Sequence, residues 1–313
     1  LKPSLFREPN INLGTGINKN KPPHIVGQSF LDYYSLDGDF NKYLYTYINF
    51  NELSGKYGKI GGYAQLKTVI DKLRDQCNGN SLLLDGGDTW QGSAVSLFES
   101  GEDMVEASNI LGVDVMTGHW EFTYGEEQFK KNLESFKGEF VANNVFLNDE
   151  AIFNDIPAYN EDGHFQKPYT IKNINGKKIA IIGQAFPYTP IANPSRFVSN
   201  LTFGIREQEL QATVNKIKGK YKPNFIVVLS HNGIDVDKKL ASRVDGIDII
   251  FGGHTHDAVP KPIIIKNKSG QTLVTNSGCN GKFVSMLDIK FSSNSYTYKY
   301  KLLPILSNEI DEN

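Results

Sequence analysis

Gly246-Ile247-Asp248-Ile249-Ile250-Phe251-Gly252-Gly253-His254-Thr255-His256-Asp257 is the stretch on which the reading of this chain turns. It opens as an Ile-rich apolar run of strand length and closes in two glycines and a His-x-His pair. In an extended segment, residues i and i+2 point the same way, so the pair predicts two imidazoles delivered to one side of a strand end. The C-terminal ends of strands are where open α/β sheets carry their sites. The glycines allow a tight turn and a close backbone approach. A His pair in that place suits a metal ion better than a core.

Three more strand ends show the same habit. Ser81-Leu82-Leu83-Leu84 runs into Asp85-Gly86-Gly87-Asp88-Thr89-Trp90-Gln91-Gly92. Val113 to Met116 runs into Thr117-Gly118-His119-Trp120-Glu121, and Phe225 to Leu229 into Ser230-His231-Asn232-Gly233. Asp88, His119, His231, His254 and His256 are therefore the candidate metal ligands. Four of the six histidines fall in these loops, and only His24 and His164 do not. One carboxylate among imidazoles suits Zn, Mn, Fe or Co rather than Ca or Mg. Asp88 is placed to bridge two divalent ions about 3.5–4 Å apart. The inventory is short of two ions by at least one Asp or His.

Around these loops, amphipathic periods predict helices near 63–76, 102–111, 126–136, 205–219 and 236–243. Asn175-Gly176 between two apolar runs predicts a hairpin. Four strands are expected after residue 263. Before residue 28, Pro, Gly and Asn predict a long ordered loop, and the alternation of Tyr43, Tyr45 and Tyr47 predicts a strand. Residues 145–167 read as a polar insertion. Alternating strands and helices followed by strands make the fold class α/β with mixed sheets.

Composition excludes several classes. The 313 residues are 39% hydrophobic and 22% charged, enough for a packed core. The net charge of −2 without a basic block argues against nucleic acid as a partner. No run approaches the about 18 apolar residues of a membrane span. Two cysteines, Cys77 and Cys279, decide no compartment.

Gly87-Asp88, Gly118-His119-Trp120-Glu121, His231 and Gly253-His254-Thr255-His256 resemble the calcineurin-like metallophosphoesterases, in their 5′-nucleotidase branch. Asp88-Thr89-Trp90-Gln91-Gly92 is similar to that branch's Asp-x-x-Gln-Gly. The resemblance implies a four-layered sandwich of two mixed β-sheets flanked by helices, over residues 1–303. Residues 304–313 read as the start of a linker to a further C-terminal domain. The family's Asp-x-His motif is not in the sequence and is expected ahead of Leu1.

Where nucleotidases show Gly-Asn-His-Glu, this chain has His119 in the metal position and Trp120 in place of the assisting His. An indole cannot donate a proton as an imidazolium does. With Leu1-Lys2-Pro3-Ser4-Leu5-Phe6-Arg7-Glu8-Pro9-Asn10, Pro22-Pro23-His24, Thr275-Asn276-Ser277-Gly278 and Asn280-Gly281-Lys282-Phe283, this set is similar to the SoxB-type thiosulfohydrolases. That resemblance implies two manganese ions and a periplasmic enzyme. It implies a substrate carried as a cysteine S-thiosulfonate on the flexible tail of a sulfur-carrier protein of the SoxYZ kind. Water would remove the terminal sulfonate as sulfate. A persulfide leaves more readily than a nucleoside alkoxide, so loss of the general acid is tolerable.

Trp120 would then line the carrier channel, or simply pack in the core, as would Trp90. Arg7 is either an anion clamp or a surface partner of Glu8. Asn143 and Asn144, at a strand end, are candidate substrate-binding residues or turn formers, and Gln91 is a candidate beside them. A nucleotidase or cyclic phosphodiesterase, and a non-catalytic binding module, are the competing functions.

Overall fold

The computed structural model describes residues 25–308 except Asn294, together with Ser4 and Ile310. The chain divides into two compact units. One comprises Leu1–Asn78, Thr255–Ile263 and Thr275–Asn313; the other comprises Gly79–His254 and Ile264–Val274.

The second unit holds the strands whose ends carry the candidate ligands, and the structure pairs them in parallel. β1 (Leu84–Asp85), β2 (Val115–Met116) and β3 (Glu139–Phe140) form a three-stranded sheet in that order. Both pairings are parallel, so among the described residues this sheet is not mixed. β4 (Phe146–Leu147) lies in the segment expected as an insertion and pairs antiparallel with β7 (Leu201–Thr202). β5 (Tyr169–Ile174) and β6 (Lys177–Gln184) make the expected hairpin. Asn175 (φ 48°) and Gly176 (φ 73°) are both left-handed, as a type I′ turn requires. β8 (Phe225–Ser230) and β9 (Ile249–Gly252) follow, then β10 (Ile263–Asn267) and β11 (Gly270–Asn276). The larger sheet is six-stranded, in the order β10-β11-β9-β8-β6-β5. β6, β8 and β9 run parallel, and all six residues of β8 are buried, which explains its unbroken apolar run.

The two sheets meet at bare backbone. A Cβ on Gly183 would fall 1.9 Å from the Val141 carbonyl oxygen. Asn143 N–H donates to that glycine's own carbonyl at 2.9 Å. Glycine is required here by contact, not by φ. The helices Glu102–Leu111, Glu126–Ser135, Glu207–Tyr221 and Ile234–Arg243 lie within two residues of their expected bounds. Their apolar stripes, such as Leu210, Val214 and Ile217, are buried.

In the first unit, the strand expected over Tyr43–Tyr47 is absent. Residues 25–58 instead form the short helices Gly27–Tyr34, Gly38–Tyr45 and Phe50–Tyr57. Tyr43, Leu44 and Tyr45 all turn inward, into a cluster with Phe30, Leu31, Leu53, Phe283 and Leu302. Tyr45 stacks on Phe283 with ring centroids 5.5 Å apart. Tyr43 and Tyr45 pack from the end of a helix, while Tyr47 lies beyond it and is exposed, so the alternation marks no strand face. The helix Tyr63–Gln76 stands where its period placed it. β12 (Phe283–Phe291) and β13 (Tyr296–Pro304) form an antiparallel ribbon. Ile305 and Leu306 are buried and Leu306 bridges Ile60, so ordered packing runs past residue 303. No helix among the described residues is long and apolar enough to cross a membrane.

Candidate metal centre

Four strand ends of the second unit converge. One ligand atom from each of Asp88, His119, His231 and His254 lies within 4.8 Å of the others. The convergence begins with glycine. Gly87 (φ 99°) follows β1, and a Cβ there would sit 3.0 Å from Gly118 Cα and 3.1 Å from His231 Nδ1. A Cβ on Gly253 would lie 3.2 Å from the same nitrogen. Side chains at either position would push the loops apart.

Asp85 shapes the first loop. Its carboxylate accepts from Gly87 N–H at 2.9 Å and from the Thr89 hydroxyl at 2.7 Å. This turn throws Asp88 into the left-handed region (φ 67°), with its carboxylate among the imidazoles. His231 Nε2 lies 3.0 Å from one Asp88 oxygen and His119 Nδ1 lies 3.1 Å from the other. Burial alone would raise the Asp88 carboxyl; the two imidazoles outweigh it and hold it far below the usual carboxylate range. For His119 burial prevails and pushes the pKa down; for His231 the Asp88 carboxylate outweighs burial and pushes it up.

Glu121 is a member that sequence reasoning left without a role. Its fully buried carboxylate accepts from His119 N–H and from Thr89 N–H, both at 2.7 Å, tying the second ligand loop to the first. Burial, then the nearby Asp88 charge, pushes it up to about 7. The signal was present in Gly-His-Trp-Glu, where a carboxylate stands two residues from a ligand. Phe186 was also missed. It lies just after β6, and its ring packs on His119 (4.2 Å) and His254 (4.0 Å). Nothing in its local sequence marks it.

The remaining candidates separate. Trp120 is half-buried and its indole stacks on His119 at 4.4 Å, while its backbone N–H donates to Asp88 at 3.2 Å. Trp90 is fully buried against Phe129, Phe136 and Phe140, as a core residue. Asn144 spends its amide on backbone: Ala185 N–H, and the Ala185 and Gly204 carbonyls. Asn143 is buried and accepts from the Thr213 hydroxyl at 2.7 Å. Gln91 is half-buried in the Asp88 loop. Arg7 lies outside the described residues.

His256 is exposed, belongs to the other unit and is not one of the four converging residues. The extended geometry assumed for the His-x-His pair does not hold. β9 ends at Gly252, and His254 (φ 72°) and His256 (φ 59°) are both left-handed. The i, i+2 rule applies only to extended chain.

The donor set fits a metal ion. His231 Nδ1 faces the Gly86 carbonyl oxygen at 2.6 Å; a carbonyl only accepts, so Nδ1 carries a proton, and Nε2 is the nitrogen left facing Asp88 and open to an ion in the proton's place. That Nε2, and both nitrogens of His119, are buried and make no hydrogen bond of acceptable geometry. Buried orphan imidazole nitrogens around a carboxylate are costly unless an ion completes them. Three imidazoles and one carboxylate suit Zn, Mn, Fe or Co.

No protein-family model matches the sequence. Over 266 residues the chain is 29% identical to the 5′-nucleotidase of Rattus norvegicus, covering 80% of this chain and 44% of that protein. Among solved structures, the sulfate thiohydrolase SoxB of Thermus thermophilus superposes with a TM-score of 0.88 at 32% identity. The match covers 99% of this chain and 55% of that one. The calcineurin-like phosphoesterase YfkN of Bacillus subtilis superposes at a TM-score of 0.66 and 22% identity, covering 81% of this chain and 85% of that one, a likeness of fold. The chain thus spans about half the length of the first two of these relatives.

Proposed function

We propose, from a calcineurin-like fold whose likenesses lie in the 5′-nucleotidase branch of the metallophosphoesterases, that this protein is a metal-dependent hydrolase. Its substrate would be a tetrahedral anionic group, the terminal sulfonate of a cysteine S-thiosulfonate on a sulfur-carrier protein. The observation that carries the finer reading is Trp120. Its indole lies flat on His119, where a nucleotidase pattern has a proton-donating His.

Asp88, His119, His231 and His254 would hold the metal, with two manganese ions implied by the resemblance to SoxB-type enzymes. A bound divalent ion supplies Lewis acidity and lowers the pKa of water toward neutrality. The chain's own residues do the rest. The Gly86 carbonyl keeps the proton of His231 on Nδ1, so Nε2 faces the centre. Glu121 locks the His119 and Asp88 loops in one register. Trp120 offers an apolar face and no acidic proton. In the balanced reaction, a water oxygen bonds to the sulfonate sulfur and the sulfur–sulfur bond breaks. The electron pair leaves with the persulfide, and two protons pass to solvent as sulfate is released. A persulfide is a weak base, so this departure needs no general acid.

The partner in this reading is a carrier of the SoxYZ kind, presenting a cysteine on a flexible tail, and the compartment is the periplasm. A phosphomonoester is the second reading, favoured by the curated 5′-nucleotidase relatives. The full gene product, loaded with Mn(II), is incubated with a carrier-tail peptide bearing cysteine S-thiosulfonate and, separately, with a nucleoside monophosphate. Sulfate without phosphate is expected. Phosphate without sulfate transfers the protein to the nucleotidase reading and leaves Trp120 a packing residue.

A further inference from the structure

Two of the converging imidazoles are held by different means. His231 has the usual arrangement for a ligand, with its far nitrogen fixed by a backbone carbonyl at 2.6 Å. His119 has no such outer partner. Neither of its ring nitrogens makes a hydrogen bond of acceptable geometry, and the polar group beside it is Asp88, itself one of the four.

What holds the His119 ring is aromatic. Trp120 stacks on it at 4.4 Å and 28°, and Phe186 packs on it at 4.2 Å and 45°. The same Phe186 ring stacks on His254 at 4.0 Å and 30°. One apolar side chain thus packs closely on two of the imidazoles and meets the third, His231, edge-on at 6.3 Å. Its own place is fixed by backbone. Phe186 N–H donates to the Gly118 carbonyl, immediately before His119, at 3.1 Å. The preceding residue is clamped through both its N–H and its carbonyl by the Asn144 amide at 2.8 and 2.7 Å. An imidazole free to rotate about its Cβ–Cγ bond presents its nitrogens in the wrong direction most of the time, and flat rings packed on its faces prevent that rotation.

We propose that Phe186 is a positioning residue for the metal-binding imidazoles, doing for His119 and His254 what the Gly86 carbonyl does for His231. The proposal rests on the reading of the four residues as a metal site. A plain filler of the core would serve equally well as any apolar residue of similar volume; a positioning ring must be flat. Phe186→Leu keeps apolar bulk without a flat face, and Phe186→Tyr keeps the face.

The experiment titrates Co(II) into the full gene product and both variants, reading affinity by calorimetry and coordination by the visible absorption of the bound ion. Apo-protein melting is recorded alongside. Phe186→Leu is expected to melt near the unaltered protein, yet bind Co(II) about 10- to 100-fold more weakly, the range for loss of an outer partner. Its absorption band should change in shape, and Phe186→Tyr should restore both affinity and band. If Phe186→Leu does not fold, Phe186→Met, which adapts its shape to irregular gaps, takes its place. Unchanged affinity and absorption in the flat-face-free variant overturn the proposal, as does a loss of affinity that tracks apo stability in every variant. If the unaltered protein binds no Co(II), the metal reading falls and the proposal with it.

Discussion

At the scale of the residue, the centre is held by side chains that never face a substrate. Glu121 accepts from the backbone N–H groups of two ligand loops at once. Glu121→Gln retains one accepting oxygen and turns an NH2 toward the other donor. The expected loss is about 1–3 kcal/mol, the cost of a buried donor left unmet. Urea unfolding checks it, and a variant as stable as the parent sinks the stapling role. Asp237 is the second such case. It is fully buried, accepts from the Ser230 hydroxyl at 2.6 Å, and burial pushes its carboxyl up to about 7. The folded state therefore keeps this proton after the unfolded chain, near its ordinary pKa of about 4, has released it. By linkage, stability falls as pH rises from about 4 to about 7 and levels beyond. Asp237→Asn should flatten that part of the profile in denaturation series across the window; an unchanged slope there is the contrary result. Asp88, His119, His231 and His254 were legible because each follows an apolar run. His256 was grouped with His254 on a rule for extended chain, which ends before either residue. Phe186 was illegible because its partners are 67 and 68 positions away in sequence, His119 and His254.

At the scale of the element, the sheets place the loops. β6 approaches the chain after β3 so closely that only hydrogen fits on Gly183. Gly183→Ala is expected to cost about 1–3 kcal/mol or more through overpacking against backbone, which cannot rotate away as a side chain can. The measurement is the denaturation midpoint, together with Co(II) affinity, because Gln184 and Ala185 lead from this contact to Phe186. A variant with both values unchanged shows that the close approach bears no load. The helices with a sustained 3.6-residue stripe were readable within two residues, because a long amphipathic period leaves little choice. The three helices of eight residues over 27–57 were not, because two turns carry too few positions to outvote an alternating run of tyrosines.

At the scale of the whole molecule, all four converging residues fall in one compact unit. An ion bound there stabilises by mass action, about 2.7 kcal/mol at a hundredfold excess over Kd. Hydrogen exchange with and without Mn(II) should show added protection across 85–92, 117–121, 229–233 and 250–254. Protection confined to residues 25–78 would place the ion elsewhere. The fold class was legible in the alternation of strand and helix, while the division of the chain into two units was not. The segments 255–263 and 275–313 belong with the first 78 residues, and no composition shift marks the crossings.

Asp88 and His254 both hold backbone angles that side chains avoid and glycine adopts freely. For these two residues, folding and metal binding pull in opposite directions. Glycine substituted at either position is thus expected to relax the backbone and remove a ligand in the same stroke, trading ion affinity for scaffold stability.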